Sequence, residues 1–385
     1  MRSFQHITPP LRLFSGPDSM EFLGRELERL DSRRAVIFSG PWARGPMLDA
    51  VRSGMGERCA GVFEGVVAHS PIASVEAAAQ ELKRLDADAV VALGGGSSIV
   101  TARAGTILAA ENKDPRSLCT SRDANGQLRS PKLLAPKLPQ LIVPTTPTTA
   151  MVKAGAAVFD PATGERLALF DPKTRAHAIF IHPELISSAP RDLIVSASLN
   201  TFAMAIEGLV SRTGDPIADA LLMHAIRLIA QHLPSKGLDA DLDARGDLML
   251  AAVLCGQGSD YAAAGITTVV GHAIGASYHM DNGIANAIVL AHVLRFNADA
   301  AKAGLSKVAA ALGVRSSGDE LPGVIEAVEA LFAQLKVPRR FRDVGVPREA
   351  LPGIAEKGMG DWFLKGNPRP VREASELQQI LEEAW

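Results

Sequence analysis

The chain has 385 residues, which is enough for two domains with substantial hydrophobic cores. Hydrophobic residues make up 47% of it and charged residues 21%, and the formal net charge of -2 leaves no excess of positive charge for nucleic acid or an anionic membrane. No apolar run reaches the roughly 18 to 20 residues that cross a bilayer, and the first residues lack the apolar core of a signal peptide. Cys59, Cys119 and Cys255 form no CxxC pair, as expected of buried or incidental thiols in a reducing compartment, so we expect a cytoplasmic protein with no nucleic-acid or membrane partner.

The first half of the chain alternates strand and helix patterns. RRAVIFSG at residues 33–40 is a β-rich run that ends in glycine, and SPIASVEAAAQELKRLDA at 70–87 has the apolar spacing of an amphipathic helix. DAVVALGGGSS at 88–98 and LPQLIVPTTPTT at 138–149 are apolar runs followed by glycine or by a Pro/Thr turn, which is typical of parallel strands buried on both faces. This alternation predicts βαβ units and a parallel sheet.

From about residue 186 the pattern changes to long apolar segments, which are rich in Ala and Leu and are interrupted by Gly, Pro and Asp. Their lengths are those of helices. We therefore predict an α/β domain at residues 1–185 followed by an all-helical domain at residues 186–385.

Gly94, Gly95, Gly96, Ser97 and Ser98 lie where a buried strand passes into a helix. Glycines let a phosphate approach the backbone closely, and a helix N-terminus offers unpaired N–H groups and a positive dipole. The pattern is not GxGxxG, so it does not indicate the ordinary Rossmann fingerprint. It favours a phosphate site, with a ligand-free turn between strand and helix as the alternative.

A second strand-end loop, PTTPTT at residues 144–149, offers the hydroxyls of Thr145, Thr146 and Thr149. Ligands of open α/β sheets collect at the carboxyl ends of the strands. Two such loops from successive strands are therefore expected to face one nucleotide. Turn formation alone is the alternative for this loop taken by itself.

Taken together, seven segments resemble the iron-containing alcohol dehydrogenase superfamily, which includes the maleylacetate reductases and is related to dehydroquinate synthase. They follow the family's order over nearly the whole chain: GGGSSIVTAR, PTTPTT, HPELISSAP, SASLNTFAMAIEGLVS, GDPIADALLMHAIRLI, GHAIGASYHMDNGIANAIVLAHVLRFN and NPRPVREASELQQIL. The resemblance implies an N-terminal NAD(P)-binding α/β domain, a C-terminal all-helical domain and a homodimer.

By the same resemblance, Gly94 to Ser98 would hold the pyrophosphate of the coenzyme, and Thr145, Thr146 and Thr149 would lie near its nicotinamide half. The expected coenzyme is therefore NAD(P)H.

Two further positions bear on the coenzyme. Arg166 falls where the family often has a lysine near the phosphates. Gly40 follows the first strand of the pattern, where members that prefer NAD often carry an aspartate for the adenine ribose. Because Gly40 supplies no carboxylate to repel a 2'-phosphate, the sequence is compatible with both NADH and NADPH.

The largest departure from the family concerns its metal site. The resemblance implies a metal held by an Asp and a His one turn apart on a helix and by two later histidines, and the matching positions here are Asn200, Met204, Thr268 and Asn282. Divalent iron and zinc prefer imidazole, carboxylate or thiolate donors. None of the four residues supplies one, so we predict that there is no catalytic metal.

His272 matches a second family histidine thought to lie near the nicotinamide, and His279 follows on the same segment. An imidazole can donate or accept a proton near pH 7, although a buried core histidine is the alternative for His272. Asn200, Asn282 and Thr268 are candidate hydrogen-bond donors to negative charge that develops in a transition state. By resemblance, Asn200 also occurs at this position in maleylacetate reductases, which favours that branch.

We therefore hypothesise a metal-independent NAD(P)H-dependent oxidoreductase that acts on a small activated carbonyl compound or an unsaturated oxo-acid, as maleylacetate reductase does. The candidate substrate-pocket residues are Met204, Lys153 and Trp362, with Arg103 as a further anchor. The alternatives are a non-redox enzyme (a lyase, isomerase or hydrolase) and a catalytically silent binding protein on the same scaffold. Coenzyme binding distinguishes the hypothesis from these alternatives.

Overall fold

The computed structural model describes residues 3–123, 127–278, 280–316 and 318–385. They form two compact units, one of residues 9–189 and one of residues 190–385 together with residues 3–8. The predicted division was 1–185 and 186–385. In the structure the α/β unit begins at residue 9 and ends at residue 189. The amino-terminal segment groups with the helical unit because His6 Nδ1 lies 3.0 Å from Asp215 Oδ2 and the His6 ring stacks on Tyr261 at 4.0 Å.

The α/β unit contains a six-stranded parallel sheet and two antiparallel ribbons. Its strands are β1 (Arg12–Ser15), β2 (Ala35–Phe38), β3 (Cys59–Phe63), β4 (Ala89–Gly94), β5 (Ser121–Arg122), β6 (Leu128–Arg129), β7 (Gln140–Pro144), β8 (Gly155–Asp160), β9 (Glu165–Phe170) and β10 (Ala176–Ile181). The parallel sheet has the order β1-β10-β7-β4-β2-β3, and the ribbons are β5–β6 and β8–β9. The predicted parallel sheet is confirmed.

Helices cover both faces of this sheet. They are α1 (Ser19–Arg29), α2 (Pro46–Met55), α3 (Ile72–Arg84), α4 (Gly96–Glu111) and α5 (Pro183–Ser187). One core packs α1 and α2 against the sheet around Leu23, Ile37 and Val91, and another joins α3 and α4 to the β8–β9 ribbon around Ile107 and Val158. Strands β2, β4 and β7 are buried along their whole length, which explains their apolar sequences; the buried Gln140 at the start of β7 donates to the Ile99 carbonyl.

The second unit is built from helices, as predicted. They are α6 (Arg191–Val210), α7 (Pro216–His232), α8 (Leu242–Gly258), α9 (Ile266–Tyr278), α10 (Asn282–Asn297), α11 (Lys302–Leu312), α12 (Leu321–Gln334), α13 (Leu351–Met359) and α14 (Ala374–Glu383). A large apolar core brings together α9, α10, α13 and α14 around residues such as Ile274, Val289 and Leu381.

Helix α6 differs from the expectation that no apolar segment is long enough to cross a membrane. It has 20 residues, and its most apolar window has a mean hydropathy of 1.6, which meets that test by length and composition. However, 72% of this window is buried inside the protein. Since α6 packs against α7, α8, α10 and α11, its apolar sequence is that of a core helix.

Candidate functional site

The two loops predicted to face one nucleotide lie side by side at the carboxyl edge of the sheet. Strands β4 and β7 are neighbours, and Gly94 at the end of β4 pairs with Pro144 at the end of β7. The Thr145 N–H donates a hydrogen bond of 3.1 Å to the Gly94 carbonyl. The glycine loop and the PTTPTT loop are therefore joined at their first residues.

Glycine is required where these loops meet. Gly94 has φ of +134°, which residues with a side chain rarely adopt. A Cβ on Gly95 would lie 2.7 Å from Thr146 Oγ1, and one on Gly96 would lie 3.4 Å from Thr148 Oγ1. The backbone that begins α4 thus runs close to the threonine hydroxyls: a Cβ on Gly95 would collide with Thr146, whereas one on Gly96 would be in ordinary contact with Thr148.

The hydroxyl residues of the two loops are mostly buried. Ser98, Thr145, Thr146 and Thr149 are each less than 9% exposed. Thr149 begins a short 3-10 helix that ends at Val152, and the loop enters it through Thr148, whose Oγ1 accepts a hydrogen bond from the Ala150 N–H. These residues could line a polyanion site through backbone N–H groups and hydroxyls at the start of α4.

Arg103 holds this arrangement in place and does not reach a substrate. Its side chain on α4 is fully buried, and it donates to the backbone carbonyls of Ala150, Gly155 and Thr174. Burial lowers the pKa of this guanidinium to about 9. The suggestion that Arg103 anchors the substrate is therefore wrong. Its buried guanidinium donates the hydrogen bonds given above to the backbone of the segment that follows the PTTPTT loop, and these bonds connect α4 to that segment.

Gly40 follows β2 and lies against the indole of Trp42, a residue that the sequence analysis did not single out. A Cβ on Gly40 would come within 2.4 Å of Trp42 Nε1. The half-exposed Trp42 also packs on Gly94, so it belongs to the same edge of the sheet.

Arg166 and Lys153 lie in the α/β unit, outside the two loops. Arg166 is exposed on β9 opposite Phe159, and the Phe159 N–H donates to the Ser70 carbonyl. The Ser70 hydroxyl in turn donates to the carbonyl of Ser97, so β8, the strand paired with β9, is linked to the glycine loop through Ser70. Lys153 is partly buried directly after the 3-10 helix that Thr149 begins.

In the helical unit, the four positions matched to metal ligands lie on three helices that pack together. Asn200 and Met204 are one turn apart on α6, Thr268 is in the first turn of α9, and Asn282 begins α10. A fifth residue, Asn286 on α10, connects these helices, and the sequence motifs did not indicate it. Its Nδ2 lies 3.0 Å from Asn200 Oδ1, and in the alternative amide orientation it donates to the carbonyls of Thr267 and Asn282.

Two glycines of α9 make room for these amides. A Cβ on Gly271 would lie 2.0 Å from Asn286 Oδ1, and a Cβ on Gly275 would lie 2.5 Å from Asn282 Oδ1. The structure therefore brings the amides of Asn200 and Asn286 into contact, and Asn282 lies one turn before Asn286 on α10, against Gly275. We call these three neutral amide residues the amide cluster.

Thr268 faces a different partner. Its hydroxyl donates to Glu207 Oε2 at 2.6 Å, and the N–H groups of Thr267 and Thr268 donate to the same carboxylate at 2.6 and 3.1 Å. Glu207 on α6 is buried, and this burial raises the pKa of its carboxyl group against the effect of the hydrogen bonds. Glu207 thus caps the N-terminus of α9, and the Thr268 proton is directed to it and not to a substrate.

His272 lies one turn after Thr268 and is held by an aspartate. Its Nδ1 lies 2.9 Å from Asp361 Oδ2, and its ring is 5.5 Å from that of Phe363. Trp362 is next to both partners and its ring lies 5.5 Å from Phe363, so the structure brings Trp362 into the surroundings of His272. A carboxylate on one ring nitrogen orients an imidazole and favours its protonated form. His279 lies outside the described residues.

The residues at the predicted metal positions do not fit iron or zinc. Two of them are amides, one is a thioether and one is a hydroxyl already hydrogen-bonded to Glu207. These metals prefer imidazole, carboxylate or thiolate donors. Within residues 3–123, 127–278, 280–316 and 318–385, no group of three or more His, Cys, Asp or Glu side chains is placed to hold a metal ion.

Comparisons with known proteins cover almost the whole chain. Residues 10–183 match the family described as "Iron-containing alcohol dehydrogenase", and residues 194–385 match "Fe-containing alcohol dehydrogenase family, C-terminal". Lactaldehyde reductase of Escherichia coli K12 is 30% identical over 331 residues, which are 84% of each chain. Maleylacetate reductase of Sphingobium indicum is 27% identical over 376 residues, which are 97% of this chain and 95% of the relative.

Solved structures show the same fold. The crystal structure of a 1,3-propanediol oxidoreductase has a TM-score of 0.91 at 24% identity and covers 100% of both chains. Maleylacetate reductase from Agrobacterium tumefaciens has a TM-score of 0.81 at 24% identity, covering 100% of this chain and 99% of the other. At this level of identity the likeness concerns the fold alone.

Proposed function

The chain belongs to the iron-containing alcohol dehydrogenase family, a family of oxidoreductases, and we propose that it is a metal-independent member that uses NAD(P)H. We propose as its substrate a small activated carbonyl compound or an unsaturated oxo-acid, as the name of its maleylacetate reductase relatives suggests. The observation that carries the proposal is the amide cluster: Asn200 and Asn282, which the resemblance matches to metal ligands of the family, are neutral amides and not anionic or imidazole donors.

The residues at the strand ends fit the pyrophosphate of a dinucleotide. Gly94 to Gly96 bring bare backbone to the N-terminus of α4, and the hydroxyls of Thr145, Thr146 and Thr149 belong to the neighbouring loop. We propose that these residues and Ser97 and Ser98 bind the coenzyme, with Arg166 near its phosphates and Gly40 near its adenosine. When bound, reduced NAD(P)H supplies a hydride.

His272 is the proposed general acid. In a conjugated oxo-acid, addition of hydride to the carbon–carbon double bond spreads negative charge into an enolate, which then takes up one proton to give the saturated product. Asp361 lies 2.9 Å from His272 Nδ1 and orients the ring, and His272 is the proposed donor of this proton.

The amides of Asn200 and Asn282 are the proposed donors to the enolate oxygen. Both side chains are partly buried, and the Asn286 side chain and the close approach of Gly275 hold them in place. A preorganised donor of this kind contributes about 2.7–4 kcal/mol to the transition state, so two of them offset the several kcal/mol that a Lewis acid supplies. Met204 and Trp362 remain proposed pocket residues of the helical unit, and Lys153 remains a proposed pocket residue of the α/β unit.

The test is reduction of small aldehydes and unsaturated oxo-acids by NADH or NADPH before and after dialysis against a chelator. We expect dialysed enzyme to keep its activity, to contain less than stoichiometric metal and to show no stimulation by iron or zinc. Asn200→Ala and Asn200→Asp should both lower kcat, and the aspartate more, because its charge repels the enolate. Activity that is lost to the chelator and restored by metal contradicts the proposal.

Absence of any response to NADH and NADPH would instead favour a non-redox enzyme or a silent binding protein. Thermal-shift measurements with both coenzymes make this distinction before a substrate is known.

We also propose a cytoplasmic homodimer. Strand β1 forms one edge of the parallel sheet and pairs with β10 on its inner side, and its Leu13 side chain is exposed. An edge strand offers backbone groups that a second chain can pair with. Light scattering coupled to size-exclusion chromatography tests the dimer, and a monomeric mass contradicts it.

A further inference from the structure

The parallel sheet has a switch point between two of its strands. In the order β1-β10-β7-β4-β2-β3, the chain passes from β2 outward to β3 and then returns to place β4 on the other side of β2. The connections that leave β2 and β4 therefore run to opposite sides. In open α/β sheets, ligands bind outside the carboxyl ends of the strands at this point.

The indole of Trp42 covers this switch point. A Cβ on Gly40, which follows β2, would lie 2.4 Å from Trp42 Nε1 and 2.6 Å from its Cδ1. A Cβ on Gly94, which ends β4, would lie 2.7 Å from Trp42 Cζ2 and 2.9 Å from Cη2. The pyrrole side of the indole thus packs on the end of β2 and the benzene side on the end of β4.

Trp42 is half-exposed although it is a large aromatic residue. It is 50% exposed and lies in a surface segment in which Pro41 and Arg44 are exposed and Ala43 is buried. A large apolar ring that is packed on glycine backbone and open to solvent elsewhere is suited to stacking on a second planar group.

On the basis of the proposed function, we propose that Trp42 stacks on the adenine ring of the coenzyme. The sheet order is β7-β4-β2, so the PTTPTT loop after β7 and the Trp42 segment after β2 lie on opposite sides of the glycine loop Gly94–Ser98, the proposed phosphate loop. A dinucleotide whose pyrophosphate lies at the phosphate loop and whose nicotinamide lies toward β7 places its adenosine over β2. Gly40 offers no carboxylate there for the ribose, and the exposed indole of Trp42 lies against Gly40 at this position.

The test is coenzyme affinity in the full-length protein, measured by calorimetry for Trp42→Ala and Trp42→Phe with NADH, NADPH and ADP-ribose. Trp42→Ala should raise all three Kd values by about tenfold, because the three ligands share the adenine. Trp42→Phe keeps a ring for stacking and should stay within about threefold of the wild type. Trp385→Phe is the control, since the Trp385 Nε1–H is bonded to the Val346 carbonyl in the helical unit.

Quenching of tryptophan fluorescence on ADP-ribose binding should disappear in Trp42→Phe and persist in Trp385→Phe. Unchanged binding or tighter binding of the three ligands by Trp42→Ala would contradict the inference. A loss of affinity confined to NADH and NADPH, with the Kd for ADP-ribose unaffected, would contradict it as well. Wild-type protein that binds neither NADH nor NADPH contradicts the proposed function as well, whereas wild-type binding that Trp42→Ala leaves unchanged contradicts this inference alone.

Discussion

The phosphate loop of the α/β unit and the amide cluster of the helical unit are built in different ways. The loop at Gly94–Ser98 is made of backbone: a positive φ, bare Cα atoms and the start of a helix. The amide cluster is made of side chains: Asn200 on α6 contacts Asn286 on α10, and the two α10 asparagines pack against glycines of α9. A site made of backbone depends on its glycines, because a side chain at those positions would block it. A site made of side chains can change its residues while the helices that carry them stay packed. This difference explains how the fold of a metal-dependent family can persist around residues that do not fit the metal.

The largest expected effect lies in the helical unit. His272→Gln should lower kcat/KM about 10²- to 10⁴-fold, because the proposed general acid is lost. Asp361→Asn should lower it less and should shift the pH profile of kcat/KM, because Asp361 acts by orienting the imidazole. His232→Gln is the matched control, since His232 Nε2 lies 3.0 Å from Asp247 Oδ2 in a similar pair on α7 and α8. Equal losses in the control and in His272→Gln would contradict the assignment.

Packing of the amide cluster is tested by stability. A Cβ on Gly283 would lie 1.8 Å from the Ser196 carbonyl oxygen, so Gly283→Ala should force α10 away from α6 and cost about 1–3 kcal/mol or more of unfolding free energy. Gly353 in α13 has open space around its Cα, so Gly353→Ala should raise stability by about 0.5–1 kcal/mol. Chemical denaturation measures both variants, and a neutral Gly283→Ala would show that the contact between these helices is loose.

The phosphate loop should respond mainly through coenzyme affinity. Gly94→Ala combines an unfavourable φ of +134° with contacts of 2.5 Å to Ser98 Oγ and 2.7 Å to Trp42 Cζ2. We expect the Kd for NAD(P)H to rise about tenfold or more, which is at least about 1.4 kcal/mol. Gly155→Ala is the control in the same unit, because its new Cβ would meet only the Leu169 carbonyl at 3.8 Å. A coenzyme Kd that changes equally in both variants would argue against a specific role of the loop.

The smallest effect concerns Glu207 and pH. Burial raises the pKa of Glu207 above its value in the unfolded chain, so over the interval between the two pKa values the unfolded state releases a proton that the folded state keeps. Stability from this group is therefore fully present below the unfolded pKa and declines as pH rises through the folded pKa. Glu207→Gln should flatten that decline in a series of unfolding experiments at increasing pH. A slope identical to that of the wild type would show that Glu207 titrates alike in both states.

Much of the fold was predictable because its signals are local. The buried strands β2 and β4 have uninterrupted apolar sequences, β7 is apolar after Gln140, and α3 at Ile72–Arg84 has the expected helical spacing. The adjacency of the glycine and threonine loops followed from a general rule for parallel sheets and is seen in the pairing of Gly94 with Pro144. The exposed short strand β1 carried no comparable signal.

The residues that complete the candidate sites were not predictable in this way. Trp42 reaches Gly94 across 52 positions of sequence, Asn286 reaches Asn200 across 86, and Asp361 reaches His272 across 89. Glu207 lies within the segment SASLNTFAMAIEGLVS, but nothing near it in the sequence indicates that its carboxylate caps α9. The same holds for Arg103, because nothing near it in the sequence indicates that its guanidinium donates hydrogen bonds to the carbonyls of Ala150, Gly155 and Thr174.

By itself, the sequence determined the two kinds of architecture, the positions of the strand-end loops and the chemical identity of the groups at the positions that the resemblance matches to metal ligands. These depend on residue type and on spacing along one strand or helix. The tertiary structure alone decided that Trp42 lies over the switch point, that the Thr268 hydroxyl donates to Glu207 and that Asp361 contacts the His272 ring. Such pairings depend on which helices and strands come into contact, because hydrogen bonds and ring contacts act over a few ångströms in space whatever the separation along the chain.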